Sequence, residues 1–231
     1  MVTLHDAVVL MGGFPLLSGV NLDLEAGSLS VVTGANGAGK TSLLRVCAGL
    51  VPLASGRVAV FGLDPARRRT QVRRRVGLLA HAAHLYDDLT VRENVRFAVR
   101  AAGADTGRID GACDRLGLSG RLLKTSASKL SAGQRRRVAL AVLAARWPEL
   151  WLLDEPHAGL DASARQALDQ LIVEAAAGGA TVVIASHETS SVEPLASRAI
   201  TLTGGRVTAE RAIGPAPEHG DPTRPEVAHV A

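Results

Sequence analysis

Aromatic residues are scarce: two Trp, one Tyr and three Phe make up 3% of 231 residues. A core must therefore be packed mostly with Ala, Val and Leu. So few rings also argue against a stacking platform for single-stranded nucleic acid. Cysteine is as rare. Cys47 and Cys113 stand in neither a CxxC nor a metal-type spacing, so each is expected as a small buried residue in a reducing compartment. No apolar run approaches the roughly 20 residues that span a bilayer. The first residues alternate, without the basic-then-apolar order of a secretory leader. Such a chain is expected to be soluble by itself, and a membrane role would require a partner.

What is present is globular in composition: 47% hydrophobic and 21% charged residues leave enough apolar surface for a core. The length suits one large domain, or a domain with a small lobe. The net charge is +4, and much of the surplus sits in three clusters, Arg67 to Arg69, Arg73 to Arg75 and Arg135 to Arg137. Two readings stay open for them: a solvated helix face, or a surface for nucleic acid or anionic membrane; the third cluster also adjoins residues 130–134, where position could matter more than charge.

Residues 2–10 and 16–24 alternate apolar and polar around Gly12-Gly13 and read as two antiparallel strands. Residues 29–33, 76–80, 150–153 and 181–185 are short, nearly continuous apolar runs, a pattern that suits strands buried on both faces of a parallel sheet. Helical patterns separate them, which gives an α/β layout. Residues 92–102, 109–116 and 132–146 read as helices, so about 90–148 is expected as an inserted helical lobe. Residues 1–213 are expected to form one domain. The tail 214–231, with Pro215, Pro217, Pro222 and Pro225, is expected to be disordered.

Gly34-Ala35-Asn36-Gly37-Ala38-Gly39-Lys40-Thr41 fits G-x-x-x-x-G-K-S/T and stands between an apolar strand and a helical stretch that begins at Ser42. Glycines let the backbone approach phosphates, and amide N–H groups and the positive helix end face them. Lys40 would neutralise the β and γ phosphates, and Thr41 would hold Mg²⁺.

Ligands of open parallel sheets bind beyond the carboxyl ends of the strands. Each of the four apolar runs leads to a useful group there: Gly34, His81, Asp154-Glu155 and Ser186-His187. Asp154 is placed to organise Mg²⁺ and its waters. Glu155 could polarise an attacking water as general base, and His187 could contact the γ phosphate or that water. Taken singly, Asp-Glu-Pro also suits a turn, and a lone His also suits a local hydrogen bond.

Leu130-Ser131-Ala132-Gly133-Gln134 precedes a helix. Ser131 and Gln134 fit a capping box. The same residues suit a second use, because a helix start with a hydroxyl and a bare backbone presents donors to an anion. Both uses stay open.

Taken together, these motifs resemble the nucleotide-binding domain of ABC transporters over about residues 2–209. Leu130 to Gln134 resembles the family's LSGGQ signature with Ala132 in place of the first Gly. Asp154-Glu155 resembles the Walker B end, Ala158-Gly159-Leu160-Asp161 the D-loop, and His187 the switch histidine. The resemblance implies a P-loop NTPase core and a homodimer holding two ATP molecules with Mg²⁺. It also implies that Ser131 and Gly133 reach the γ phosphate of the partner's site, that integral membrane subunits are driven at the cytoplasmic face, and that no nucleic acid is involved. Two positions depart from the pattern. His81 stands where a glutamine is usual, and imidazole is a poorer ligand for Mg²⁺; it would bind water or tune the site near neutral pH. Met11, with Phe14 close by, replaces the aromatic that usually stacks on adenine.

The segments 76–90, 130–137 and 154–161 are similar to one subgroup, the ATP-binding subunits of haem exporters used in cytochrome c maturation. A His at the position of His81, followed by Leu85-Tyr86-Asp87-Asp88-Leu89-Thr90, is familiar there. Leu85 and Tyr86 stand just past His81, in the loop that in the ABC family faces the membrane subunit, and are expected to help form that contact. The alternatives are another ABC exporter, of lipid, drug or another small molecule, and a non-transport ABC ATPase.

Overall fold

The computed structural model describes residues 1–187 and 192–213; the expected tail 214–231 lies outside them. Two strands open the chain, β1 (Val2–Met11) and β2 (Phe14–Leu24). They pair antiparallel from Val2↔Leu24 to Met11↔Phe14. The turn between them uses Gly12 and Gly13 at φ of 56° and 84°, a region where a Cβ is costly.

β3 (Leu29–Thr33) leads through the glycine loop into α1 (Lys40–Cys47). The chain returns as β4 (Ser55–Val60) on the other edge of β1, completing a three-stranded sheet in the order β2-β1-β4. Next come α2 (Arg69–Arg75) and β5 (Val76–Leu79). Three helices follow: α3 (Val91–Ala101), α4 (Ile109–Arg115) and α5 (Ala132–Arg146). These form the helical lobe. The core resumes with β6 (Leu150–Asp154), α6 (Ala162–Ala177) and β7 (Thr181–Ala185). It ends with β8 (Arg198–Thr203) and β9 (Arg206–Ala212).

The second sheet has the order β5-β6-β7-β3-β8-β9. Its first five strands are parallel, and β9 closes the edge antiparallel. The four apolar runs of the sequence are thus neighbours, and their carboxyl ends share one edge. Every residue of β6 and β7 is buried, as a sheet covered on both faces requires. Alternation along β6 serves two layers. Trp151 and Leu153 join Val138, Leu140 and Leu171 on the face of α5 and α6. Leu150 and Leu152 join Leu43, Val46 and the first sheet on the other face. Aliphatic side chains make up nearly all of both cores. Cys47 and Cys113 are buried and unpaired by disulfide, as their isolation in the sequence implied.

β4, α2, β8 and β9 are additions to the sequence reading. α2 buries only Val72, so it carries no apolar periodicity to read. β9 is almost wholly exposed and owes its place to pairing with β8.

Candidate nucleotide site

The glycine loop is wedged between two strands of different sheets. At Gly34, with φ 143°, an added Cβ would lie 2.3 Å from the Leu202 carbonyl oxygen. At Gly39, with φ 107°, it would lie 2.7 Å from the Leu16 carbonyl oxygen. Ala35, Asn36 and Gly37 form the exposed crest, and Ala38 is buried beneath it. Lys40 is buried and folds back to donate to the carbonyls of Gly34 at 2.7 Å and Ala35 at 3.2 Å. Those bonds hold its ammonium inside the curve of the loop. α1 starts at Gly39 without a side-chain cap, so its first amides meet the loop as donors. Ser42, half-buried, lies in the same first turn.

At the end of β6, the hydroxyl of Thr41 donates to Oδ2 of Asp154 at 2.9 Å. The pair presents hard oxygen donors beside the phosphate loop, which fits the preference of Mg²⁺ for oxygen ligands and retained waters. Glu155 follows with φ 47°, an uncommon conformation for a residue with a Cβ. Its N–H donates to Ala185 O at 2.8 Å. Its carboxylate accepts from the His187 N–H at 3.0 Å, from the Ser186 hydroxyl at 3.2 Å, and lies 2.8 Å from His187 Nδ1. Facing a carboxylate, Nδ1 carries the proton. Glu155 and His187 are therefore one hydrogen-bonded unit built by neighbouring strands.

Ser131 and Gln134 make both halves of the capping box: Gln134 N donates to Ser131 Oγ at 3.2 Å, and Ser131 N donates to Gln134 Oε1 at 2.9 Å. Leu130 anchors the turn in the core, while Ser131 and Ala132 are exposed. Gly133 packs so closely on the turn after Glu155 that a Cβ would lie 2.8 Å from Gly159 O. Asp161 caps α6 by accepting from Ala164 N at 2.9 Å. That bond, the Ser163 hydroxyl and Arg137 hold its carboxyl below the usual range.

The third arginine cluster fits neither reading left open above. Arg135, Arg136 and Arg137 each tie the start of α5 to a different loop. Arg135 bridges to Asp87 at 2.7 Å and donates to Ala127 O at 2.8 Å. Arg137 bridges to Asp161 at 3.2 Å. Arg136 is buried and donates to four carbonyls, those of Ala80, His81, Asp154 and Glu155. Burial lowers its pKa, opposed by the carboxylates of Asp154 and Glu155. In the sequence Arg136 stands as one of a charge run. A signal was there: 136, 140 and 143 share the buried stripe of α5, where an arginine requires polar partners. His81 is exposed, and its carbonyl is anchored by Arg136.

Past His81 the chain exposes Tyr86, whose ring meets Phe97 edge-on at 4.9 Å. Buried Asn94 grips the Tyr86 backbone on both sides, accepting from its N–H at 2.8 Å and donating to its carbonyl at 3.0 Å. Leu85, Tyr86 and Phe97 line a groove of about 210 Å³. Met11 and Phe14 are exposed and face each other across the β1–β2 turn. Leu16 of the same hairpin packs on Gly39 and Gly205, so strand β2 borders the phosphate loop. A cleft of about 780 Å³ runs between β1, β4 and the segment that follows α1. None of these candidate site residues lines it.

Residues 17–158 match the family described as ABC transporter. The cytochrome c biogenesis ATP-binding export protein CcmA of Paraburkholderia xenovorans is 38% identical over 87% of this chain and 96% of its own length. Its namesake in Methylococcus capsulatus is 42% identical over 77% and 86%. The methionine import ATP-binding protein MetN of Caulobacter vibrioides is 35% identical over 92% of this chain but 67% of its own length. Among solved structures, a dimeric ATP-binding cassette in a post-hydrolysis state with ADP and Pi superimposes with a TM-score of 0.85. It is 27% identical and covers 94% of this chain and 100% of that one.

Proposed function

The chain belongs to the ABC transporter family as an ATP-hydrolysing subunit, and we propose that two copies close on two ATP molecules to drive an integral membrane partner that exports haem for cytochrome c biogenesis. Residues 1–213 would act as one nucleotide-binding domain at the cytoplasmic face of the membrane. The observation that carries the site assignment is the Thr41–Asp154 contact beside the Glu155–His187 pair, at the open end of the phosphate loop.

In this reading the loop amides of residues 34–41 and the ammonium of Lys40 bind the phosphates. Thr41 directly, and Asp154 through water, would hold Mg²⁺, which supplies charge neutralisation to the β and γ phosphates when bound. Glu155 orients the attacking water and takes its proton. His187, fixed by the same carboxylate, brings its ring to the γ phosphate. His81 lies at the adjoining strand end and tunes this water. Met11 and Phe14 contact the base. The partner copy's Ser131 and Gly133 close the site from the other side, and each copy's Asp161 faces the seam. Closure favours one state of the membrane partner and hydrolysis releases it. The groove of Leu85, Tyr86 and Phe97 is where that partner docks.

The cargo assignment draws on the export proteins for cytochrome c biogenesis, which this chain matches nearly end to end, whereas it spans only two thirds of the methionine importer. Two experiments separate the parts. Purified protein should hydrolyse ATP, and Glu155→Gln should lower turnover by about 10²-fold or more with binding retained; undiminished turnover removes Glu155 from this role. A strain lacking the chain should lose haem-stained c-type cytochromes and recover them with the wild type but not with Lys40→Ala. Unaffected cytochromes would leave export of another small molecule as the reading.

A further inference from the structure

The β5–β6 ladder is paired from Val76↔Leu150 to Leu79↔Leu153. Just past its last pair the two strands part towards His81 and Glu155. Four backbone carbonyls converge in that gap, and the guanidinium of Arg136 fills it. One nitrogen, Nη1, donates to Ala80 O at 2.6 Å and His81 O at 2.9 Å. The other, Nη2, donates to Asp154 O at 2.8 Å and Glu155 O at 2.6 Å. The planar fork thus spans both strand ends, a geometry that a lysine ammonium does not reproduce. Without a cation between them the four carbonyl dipoles would repel one another and lose their shared charged donor.

The consequence is greatest at Glu155. Its φ of 47° is a conformation that a residue with a Cβ holds only when its surroundings over-determine it. Three bonds do so: its N–H to Ala185 O at 2.8 Å, its carbonyl to Arg136 at 2.6 Å, and the same carbonyl to the Ala158 N–H at 3.2 Å. Only the second comes from the helical lobe, because Arg136 lies in the second turn-start of α5, two residues after Gln134. We propose that Arg136 is a positioning residue that sets the backbone of Glu155 and His81 from the signature helix, so that hydrolysis, more than nucleotide binding, depends on it. This deepens, and rests on, the reading of Glu155 as the group that activates water.

The test is a double-mutant cycle of wild type, Arg136→Gln, Glu155→Gln and the double variant. Turnover, KM for ATP, affinity for a fluorescent ATP analogue and Tm are measured for each. Arg136→Gln should lower kcat about tenfold or more while KM and affinity stay within about twofold. In the Glu155→Gln background it should produce no further loss, because its effect passes through that carboxylate. Arg136→Lys, which keeps the charge without the fork, should recover Tm before it recovers kcat. Should Arg136→Gln unfold, Arg136→Lys is read in the same cycle for the same two outcomes. Turnover of the Arg136 variant within twofold of wild type, or a loss that multiplies undiminished in the double variant, overturns the proposal. Full activity in Glu155→Gln alone is a different result, which overturns the role of Glu155 itself.

Discussion

The hydroxyl of Thr41 and the carboxylate of Asp154, 113 residues apart in sequence, meet at 2.9 Å. The contact joins the first turn of α1 to the end of β6 across β7 and β3, and it sets two oxygen donors beside the loop that encloses the Lys40 ammonium. Neither residue belongs to the two apolar clusters that hold the sheet, so replacing either leaves those clusters intact.

Asp154→Asn and Thr41→Val should therefore act on the metal requirement. Either change is expected to raise the Mg²⁺ concentration for half-maximal turnover by about 10- to 100-fold. Circular dichroism and Tm should stay near wild type. A Mg²⁺ titration of ATPase activity checks this, and an unshifted midpoint would remove the pair from the metal site.

Tyr86 carries an exposed ring held edge-on to Phe97. Tyr86→Ala should cost only about 1 kcal/mol of stability, the value of one aromatic pair. ATP hydrolysis by the isolated chain should persist. Co-purification with the membrane partner should be lost; retained co-purification would move the docking surface elsewhere.

Trp151 is fully buried in β6, donates from Nε1 to Pro148 O at 2.9 Å, and meets Trp147 edge-on at 5.5 Å. In a core otherwise built of small aliphatics, Trp151→Ala should destabilise by about 3–5 kcal/mol. Denaturant unfolding measures this. Trp151→Phe, which keeps most of the volume, should cost clearly less.

Burial pushes the Cys47 thiol up to about 12, and burial with the nearby Asp110 carboxylate pushes Cys113 to about 11, from 9.0. A raised folded-state pKa stabilises the protonated form. The contribution is fully present below about pH 9 and is lost as pH rises through 11 to 12. The native chain should resist a thiol reagent at pH 8. Its denaturant midpoint should fall above pH 9, and Cys47→Ala should flatten that decline. A midpoint equally steep in the variant contradicts the assignment.

Much of this architecture was legible because burial on both faces leaves a plain mark. The apolar runs ending at Thr33, Ala80, Leu153 and Ala185 became four adjacent strands, and the glycine loop or polar residue after each fell on one edge. β9 left no such mark, since its exposed side chains answer to solvent while its backbone answers to β8. The signature turn was legible as a helix start and ambiguous in purpose, because a capping serine and an anion-binding serine use the same hydroxyl. Arg135, Arg136 and Arg137 were the hardest to read. A charge run ordinarily faces water, and only the fold reveals that each points to a different loop.

The most direct measurement concerns the seam between two copies. Glu155→Gln protein mixed with ATP and Mg²⁺ should sediment as a dimer that retains one unhydrolysed ATP per chain, and Ser131→Arg in the same background should return it to monomer. A species that stays monomeric with saturating ATP, or a dimer unaffected by Ser131→Arg, would contradict the account.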